Sequence, residues 1–114
     1  MMKISKQHKN NKQVSIIYGE DNSININVFN NKILMEVAGS LDNNLKELER
    51  GSGSKIYFRG NSIAIRGEKS ANEKVRDAIE YLIERFNIDK KIDRNDILAS
   101  FNKDIIADMK NQSP

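Results

Sequence analysis

The chain has 114 residues, a length that fits one domain, and 38% of its residues are hydrophobic while 31% are charged. This balance is typical of a globular protein. Cysteine is absent, which excludes a disulfide framework, a thiol nucleophile and a thiolate metal site. No apolar run reaches the roughly 20 residues that span a bilayer, and no signal-peptide pattern follows the basic start. We therefore expect a cytoplasmic protein with no membrane partner.

The net charge of +3 is concentrated in one part of the chain. The first 13 residues hold four lysines and no acid, so from Val14 onward 15 basic residues stand against 16 acidic ones. Between Asn43 and Arg76, however, eight basic residues outnumber four acidic ones. A site for a polyanion is expected in this segment or in the tail, residues 1–13, which is predicted to be a disordered basic tail.

In chain order, the first predicted elements are strands and a helix. Residues 23–29 alternate apolar and polar side chains, as a half-buried strand does, and residues 14–18 could add an edge strand before them. A short helix then begins with Asn30 or Asn31 as its N-cap and ends at Gly39.

A second helix is predicted over residues 43–50, with Asp42 or Ser40 as its N-cap. Its inner face is predicted to carry three leucines, Leu41, Leu45 and Leu48. Glycine and serine then end it.

A hairpin follows, with arms at residues 55–59 and 62–66 joined by a tight Gly60-Asn61 turn. Tyr57 and Phe58 lie on opposite faces of the first arm, and Tyr57 is predicted to pack against the N-terminal strand. The alternative is that Tyr57 is exposed and stacks on a base.

Two helices are predicted after the hairpin. The first follows a capping box at residues 70–73 and carries an apolar stripe from Val75 to Phe86. The second begins near Arg94 and buries residues that include Ile97, Leu98, Phe101, Ile105 and Ile106.

From residue 23 the predicted order is strand, helix, helix, strand, strand, helix. This order indicates an α/β (α+β) domain over residues 14–109, with a three-stranded, mainly antiparallel sheet and an additional C-terminal helix. Residues 110–114 are expected to be a frayed end, or a linker toward a further domain.

The element order resembles that of a K-homology (KH) domain of the eukaryotic type. In KH domains a G-x-x-G loop joins the first two helices and clamps a single-stranded backbone, usually of RNA. The equivalent loop here is Gly39-Ser40-Leu41-Asp42. It keeps the first glycine and has aspartate, which repels phosphate, in place of the last one.

A closer resemblance covers about residues 34–101. Residues 38–49 read AGSLDNNLKELE and residues 56–67 read IYFRGNSIAIRG. These segments are similar to the "G-x-x-D-x-n-L-x-x-l-E" and "v-x-i-x-x-R-G-N-x-i-x-i-x-G" patterns of PhoH-like proteins, named for phosphate-starvation induction. Residues 93–101, DRNDILASF, are similar to the acidic helix start that follows in that family.

PhoH-like proteins couple such a front domain to a P-loop ATPase and are associated with RNA metabolism and a partner endoribonuclease. The resemblance implies that this chain is the N-terminal part of one. No G-x-x-x-x-G-K-[ST] motif is present, so ATP and Mg²⁺ are expected only in the missing ATPase domain. The chain itself is expected to hold no cofactor or metal, to have no catalytic residue and not to be an enzyme.

The expected role is to bind single-stranded RNA beside the ATPase. The predicted nucleic-acid-binding residues are Gly39, Ser40, Lys46, Arg50, Lys55, Arg59 and Asn61. For Arg59-Gly60-Asn61 the alternative is a plain turn, and for the lysines and Arg50 a solvated surface. The rival function is an interaction module that assembles the ATPase into a homo-oligomer or docks the endoribonuclease.

Overall fold

The computed structural model describes residues 13–101, which are built around a four-stranded sheet. The strand order is β1-β2-β4-β3, and every neighbouring pair is antiparallel. The edge strand that the sequence allowed is present as β1, so the sheet has four strands where the predicted core had three. The strands are β1 Val14–Tyr18, β2 Ile24–Val28, β3 Lys55–Arg59 and β4 Ser62–Arg66.

Four helices accompany the sheet, which makes the domain α+β. They are α1 Asn31–Ala38, α2 Asn43–Ser52, α3 Lys69–Asp89 and α4 at residues 94–101. No helix within residues 13–101 is long and apolar enough to cross a bilayer. Of the tail predicted for residues 1–13, residues 1–12 lie outside the described range, as do the apolar positions Ile105 and Ile106 and the end at 110–114.

One face of the sheet forms the floor of the core. The strand register aligns Ile16, Ile26, Ile63 and Phe58 in one row across all four strands, and the three isoleucines are fully buried. The apolar stripes of the helices cover this face. Because side chains alternate along a strand, the intervening residues point to the opposite face of the sheet.

The start and end of α1 are as the sequence predicts. The Asn30 side chain caps it by accepting hydrogen bonds from the N–H groups of Lys32 and Ile33 at 2.9 and 3.1 Å. Gly39 ends the helix with a positive φ of 78°, a conformation that glycine adopts without steric cost. Local residue chemistry therefore determines this helix.

The predicted start of α3 is wrong. The helix begins at Lys69 with Glu68 as its N-cap, and Glu68 makes no side-chain cap hydrogen bond. Ser70 therefore lies inside the first turn, so it cannot form the capping box predicted with Glu73. The reason lies in tertiary contacts, because the next polar residue, Asn72, hydrogen-bonds to loops that are distant in sequence.

Asn72 is fully buried and joins three loops. Its Nδ2 donates to the carbonyl oxygens of Asn22 at 2.7 Å and Gly67 at 3.0 Å. Its Oδ1 accepts from Ser54 Oγ at 2.7 Å. A buried amide is stable only when its polar atoms are satisfied, so this network determines how the loops pack against the start of α3.

Arg76 connects α3 to β1. Its Nη1 donates to Tyr18 Oη at 2.6 Å and its Nη2 donates to Asp77 Oδ1 at 2.7 Å. Partial burial lowers the pKa of the guanidinium, but the hydrogen bonds to Asp77 and Tyr18 outweigh this effect and raise that pKa above its ordinary value. The arginine therefore stays charged and holds the edge strand in place.

Helix α4 packs against α2. Ile97 is buried in the core, and the Phe101 ring lies so close to Gly51 that a Cβ there would be 2.8 Å from Phe101 Cε2. Arg85 of α3 pairs with Asp96 at 3.5 Å. The described part of α4 thus belongs to the domain.

Candidate nucleic-acid interface

A groove of about 390 Å³ opens between α1, the α1–α2 loop and the β3–β4 hairpin. Its walls are mainly apolar, and Met35 and Leu41 are 64% and 83% exposed. Asp42 is the charged residue of the lining. The lining residues are Leu34, Met35, Ala38, Gly39, Leu41, Asp42, Phe58 and Gly60.

The α1–α2 loop has a strained backbone. Leu41 and Asp42 both have positive φ angles, 53° and 61°, a region that costs non-glycine residues of order 1–3 kcal/mol and is concentrated at functional sites. These two residues also change the helical phase before α2 begins. For this reason Leu41 projects into solvent, and its predicted place on the inner face of α2 is wrong.

Asp42 occupies the N-cap position of α2 but does not act as a side-chain cap. No hydrogen bond joins its carboxylate to the first turn of the helix, because the left-handed backbone turns the side chain away from the α2 N–H groups. Asp42 is one of the residues that line the groove. The residue at the last position of the G-x-x-G pattern thus keeps a glycine-like conformation and adds a negative charge.

Gly39 is required where it stands for two reasons. Its φ of 78° favours glycine, and a Cβ there would lie 2.6 Å from Asn44 Nδ2. Asn44 Nδ2 donates to the carbonyl oxygen of Glu36 at 3.3 Å and so connects the start of α2 to the end of α1. The close approach of the two helices at the groove depends on this glycine.

The outer edge of β3 is partly protected and partly open. With the two-residue turn after Arg59, the backbone polar groups of Ile56 and Phe58 point away from β4. The Ile56 N–H donates to Glu49 Oε2 of α2 at 2.7 Å. Phe58, by contrast, lines the groove, and its backbone N–H and C=O lie at the outer edge of the sheet. No local sequence signal indicates this role of Glu49.

The structure brings only part of the predicted site to the groove. Gly39 lines it, and Ser40 is exposed in the same loop. Lys46 is exposed in the first turn of α2 and is not among the residues that line the groove. Asn61, next to the lining residue Gly60, is exposed and accepts a backbone hydrogen bond from Val28 N–H at 3.0 Å.

Arg50 lies elsewhere, on the side of α2 that faces α4. Its Nη1 is 3.1 Å from Glu47 Oε2, and the same carboxylate oxygen is 3.8 Å from Arg94 Nη1. Arg50 borders a separate cavity of about 220 Å³ that also contacts Ile97 and Phe101. Its charge is partly neutralised there, and it does not line the groove.

Lys55 and Arg59 lie on the other face of the sheet. They alternate along β3 with Ile56 and Phe58, which face the core and the groove, and both are exposed. Tyr57 lies between them and is 41% exposed. The predicted packing of Tyr57 against the N-terminal strand is wrong, because β1 and β3 are at opposite edges of the sheet.

Comparisons of the chain with protein-family models, curated proteins and solved structures found no match. Within residues 13–101, no group of three or more histidines, cysteines or acidic residues is placed to hold a metal ion.

Proposed function

We propose that the chain is a KH-like, single-stranded-RNA-binding domain of the PhoH-like type. The order from β2 to α3 is strand, helix, helix, strand, strand, helix, which fits that layout, with β1 as an added edge strand. In the full-length protein a P-loop domain would bind ATP and Mg²⁺, and an endoribonuclease would be a partner. This chain would supply RNA binding in the cytoplasm and no catalysis.

The observation that carries the proposal is the groove itself. It is bordered on one side by the loop that matches the KH clamp and on the other by the edge of β3. Apolar side chains such as Leu34, Met35 and Phe58 suit the faces of unstacked bases. The outward N–H and C=O of Phe58 suit the hydrogen-bonding edge of a base, as RNA-binding folds use it. Lys46, which is exposed in the first turn of α2, is the cation proposed to contact a phosphate.

The proposal is tested with the full chain and a fluorescently labelled single-stranded RNA in an anisotropy titration. Met35→Glu introduces a charge that repels phosphate at an exposed position of the groove, and we expect it to weaken binding at least about fivefold. Ile88→Glu is the matched control, since Ile88 is 68% exposed on α3 and does not line the groove. Equal affinities of these two variants would refute the groove as the RNA site.

The lysine-rich tail needs its own control. Changing Lys3, Lys6, Lys9 and Lys12 to glutamine removes its positive charge while keeping the chain length. If the folded domain binds the RNA, the glutamine variant should still bind it at physiological salt. Adding Met35→Glu to that variant should still weaken RNA binding. Complete loss of binding in the glutamine variant would assign the RNA affinity to the tail.

A second candidate function is protein interaction within an assembled ATPase or with its endoribonuclease. The negative charge of Asp42 at the groove and the absence of a cation among the groove-lining residues favour it. An apolar groove of this kind suits a peptide or a second copy of the chain. Sedimentation analysis at increasing protein concentration tests it, because self-association that Met35→Glu abolishes and that salt leaves unchanged supports assembly.

A further inference from the structure

The sheet face that points away from the helices is a surface of distinctive composition. We call it the open face. Within residues 13–101 the strand positions on it include three basic residues, one tyrosine and no acid. Its residues are Ser15 and Ile17 of β1, Asn25 and Asn27 of β2, Lys55, Tyr57 and Arg59 of β3, and Ser62, Ala64 and Arg66 of β4.

Tyr57 is surrounded by the three cations. Lys55 and Arg59 lie two residues away on the same strand and therefore on the same face. Arg66, on the neighbouring strand, donates from Nε to Tyr57 Oη at 3.1 Å. In the register of the sheet Tyr57 is opposite Ala64, whose small side chain is fully buried beneath its larger neighbours. Tyr57 is 41% exposed.

These three cations lack a carboxylate partner among the described residues. Lys55, Arg59 and Arg66 form no ion pair with any residue in the range 13–101. The arginines on the helical side differ from Arg59 and Arg66, since Arg50, Arg76, Arg85 and Arg94 each pair with a carboxylate.

The acids that are nearest in sequence to the strands lie at one end of the sheet. This is the end where Lys55 of β3 is opposite Arg66 of β4 in the strand register. Glu20 and Asp21 form the turn between β1 and β2, and Glu68 follows β4. No acid occurs between Arg59 and Arg66 or within β1 and β2, so these strands and the hairpin turn contribute no negative charge to the open face.

We propose that the open face is a second binding surface for single-stranded nucleic acid, with Tyr57 stacking on a base and Lys55, Arg59 and Arg66 contacting phosphates. None of these four residues lines the groove, so the inference does not depend on the function of the groove. Arg66 binds Tyr57 Oη through Nε, and its Nη atoms form no hydrogen bond with residues 13–101, which leaves them for a phosphate.

The composition favours a single strand over other polyanions. An exposed aromatic ring contributes to binding only where bases are unstacked, which excludes a regular duplex as the preferred ligand. The amide side chains of Asn25 and Asn27 are half-buried on the same face, although Asn27 Oδ1 is already engaged by Ser62 Oγ. They provide polar groups beside the cations without adding charge.

The charge component is tested with the full chain and a labelled single-stranded RNA of about twelve nucleotides. The triple variant Lys55→Gln, Arg59→Gln, Arg66→Gln should lower affinity at least about tenfold. It should also reduce the slope of log affinity against log salt by about 2, or roughly 0.7 for each phosphate that is no longer neutralised. The matched control is Lys69→Gln, Lys74→Gln, Lys91→Gln, which removes three exposed charges from outside the open face. Equal affinities and slopes of the two triple variants would overturn the proposal.

The stacking component has a separate readout. Tyr57→Phe keeps an aromatic ring and should bind within about twofold of the parent, whereas Tyr57→Ala should lose roughly 5- to 100-fold. The chain has three tyrosines and no tryptophan, so RNA should quench tyrosine emission, and Tyr57→Phe should remove most of this quenching. Equal RNA affinities of Tyr57→Ala and Tyr57→Phe would show that Tyr57 does not stack on a base. Duplex RNA of the same length that competes as well as the single strand would show the same.

The two surfaces are distinguished by combining variants. Met35→Glu affects the groove, and the triple glutamine variant affects the open face. Loss of binding in the triple variant together with normal binding of Met35→Glu would support the open face and contradict the proposed groove function. The reverse result would retain the groove and overturn this inference.

Discussion

Replacing Asp42 with asparagine or glycine separates the charge of the α1–α2 loop from its backbone conformation. Asp42 lines the groove, its φ is 61°, and its carboxylate makes no cap hydrogen bond. Asparagine has nearly the same shape, tolerates a left-handed backbone and removes the charge. Glycine removes the charge and the backbone strain together.

The effect on RNA affinity follows from electrostatics. A phosphate bound about 4–6 Å from the carboxylate would be repelled by roughly 0.7–1 kcal/mol in a solvent-like dielectric. We therefore expect Asp42→Asn and Asp42→Gly each to raise affinity about three- to fivefold at low salt. The gain should shrink as salt screens the interaction.

The effect on stability differs between the two variants. Both lose the favourable interaction of the carboxylate with the start of α2, about 0.3–1 kcal/mol. Glycine also removes the cost of the left-handed conformation, which exceeds the extra entropy of the unfolded glycine chain by about 0.5–1 kcal/mol. Asp42→Gly should therefore be more stable than Asp42→Asn by about that amount.

Anisotropy titrations and urea unfolding measure the two effects on the same proteins. If Asp42→Asn binds RNA no better than the parent at low salt, phosphate does not approach this loop, and the proposal that the groove binds RNA fails. If Asp42→Asn weakens binding, the carboxylate contacts the ligand directly. An equal stability of the two variants would contradict the strain assigned to the loop.

Two further substitutions test how the loops and the edge strand are held. Asn72→Ala should lower the free energy of unfolding by about 2–4 kcal/mol in urea, because it removes a buried hydrogen bond to Ser54 and two part-buried ones to the carbonyl oxygens of Asn22 and Gly67; a loss under about 1 kcal/mol would mean that water replaces the amide. Glu49→Ala should cost about 1–2 kcal/mol through the Ile56 N–H, whereas Glu49→Gln should retain most of the stability because its amide oxygen can accept the same bond. Equal losses for alanine and glutamine would show that charge, and not the hydrogen bond, is what matters.

Much of the fold follows from local sequence. The predicted hairpin arms, residues 55–59 and 62–66, have the same bounds as β3 and β4, because alternation and a Gly-Asn turn specify register within a few residues. The cap at Asn30 and the stop at Gly39 are likewise predictable from residue chemistry. The start of α3 is not, since Asn72 is held by loops that are distant in sequence.

Periodicity, caps and composition are local properties, and they are sufficient to predict the class of the domain, the element order and the concentration of cations between residues 43 and 76. Which of these cations share a surface depends on the packing of the folded chain. Arg50 lies beside Glu47 and α4, Lys55 and Arg59 lie on the open face, and Asp42 lies at the groove. Helix packing and strand order bring together residues that no sequence spacing relates, so the division into two surfaces can be recognised only in the folded domain.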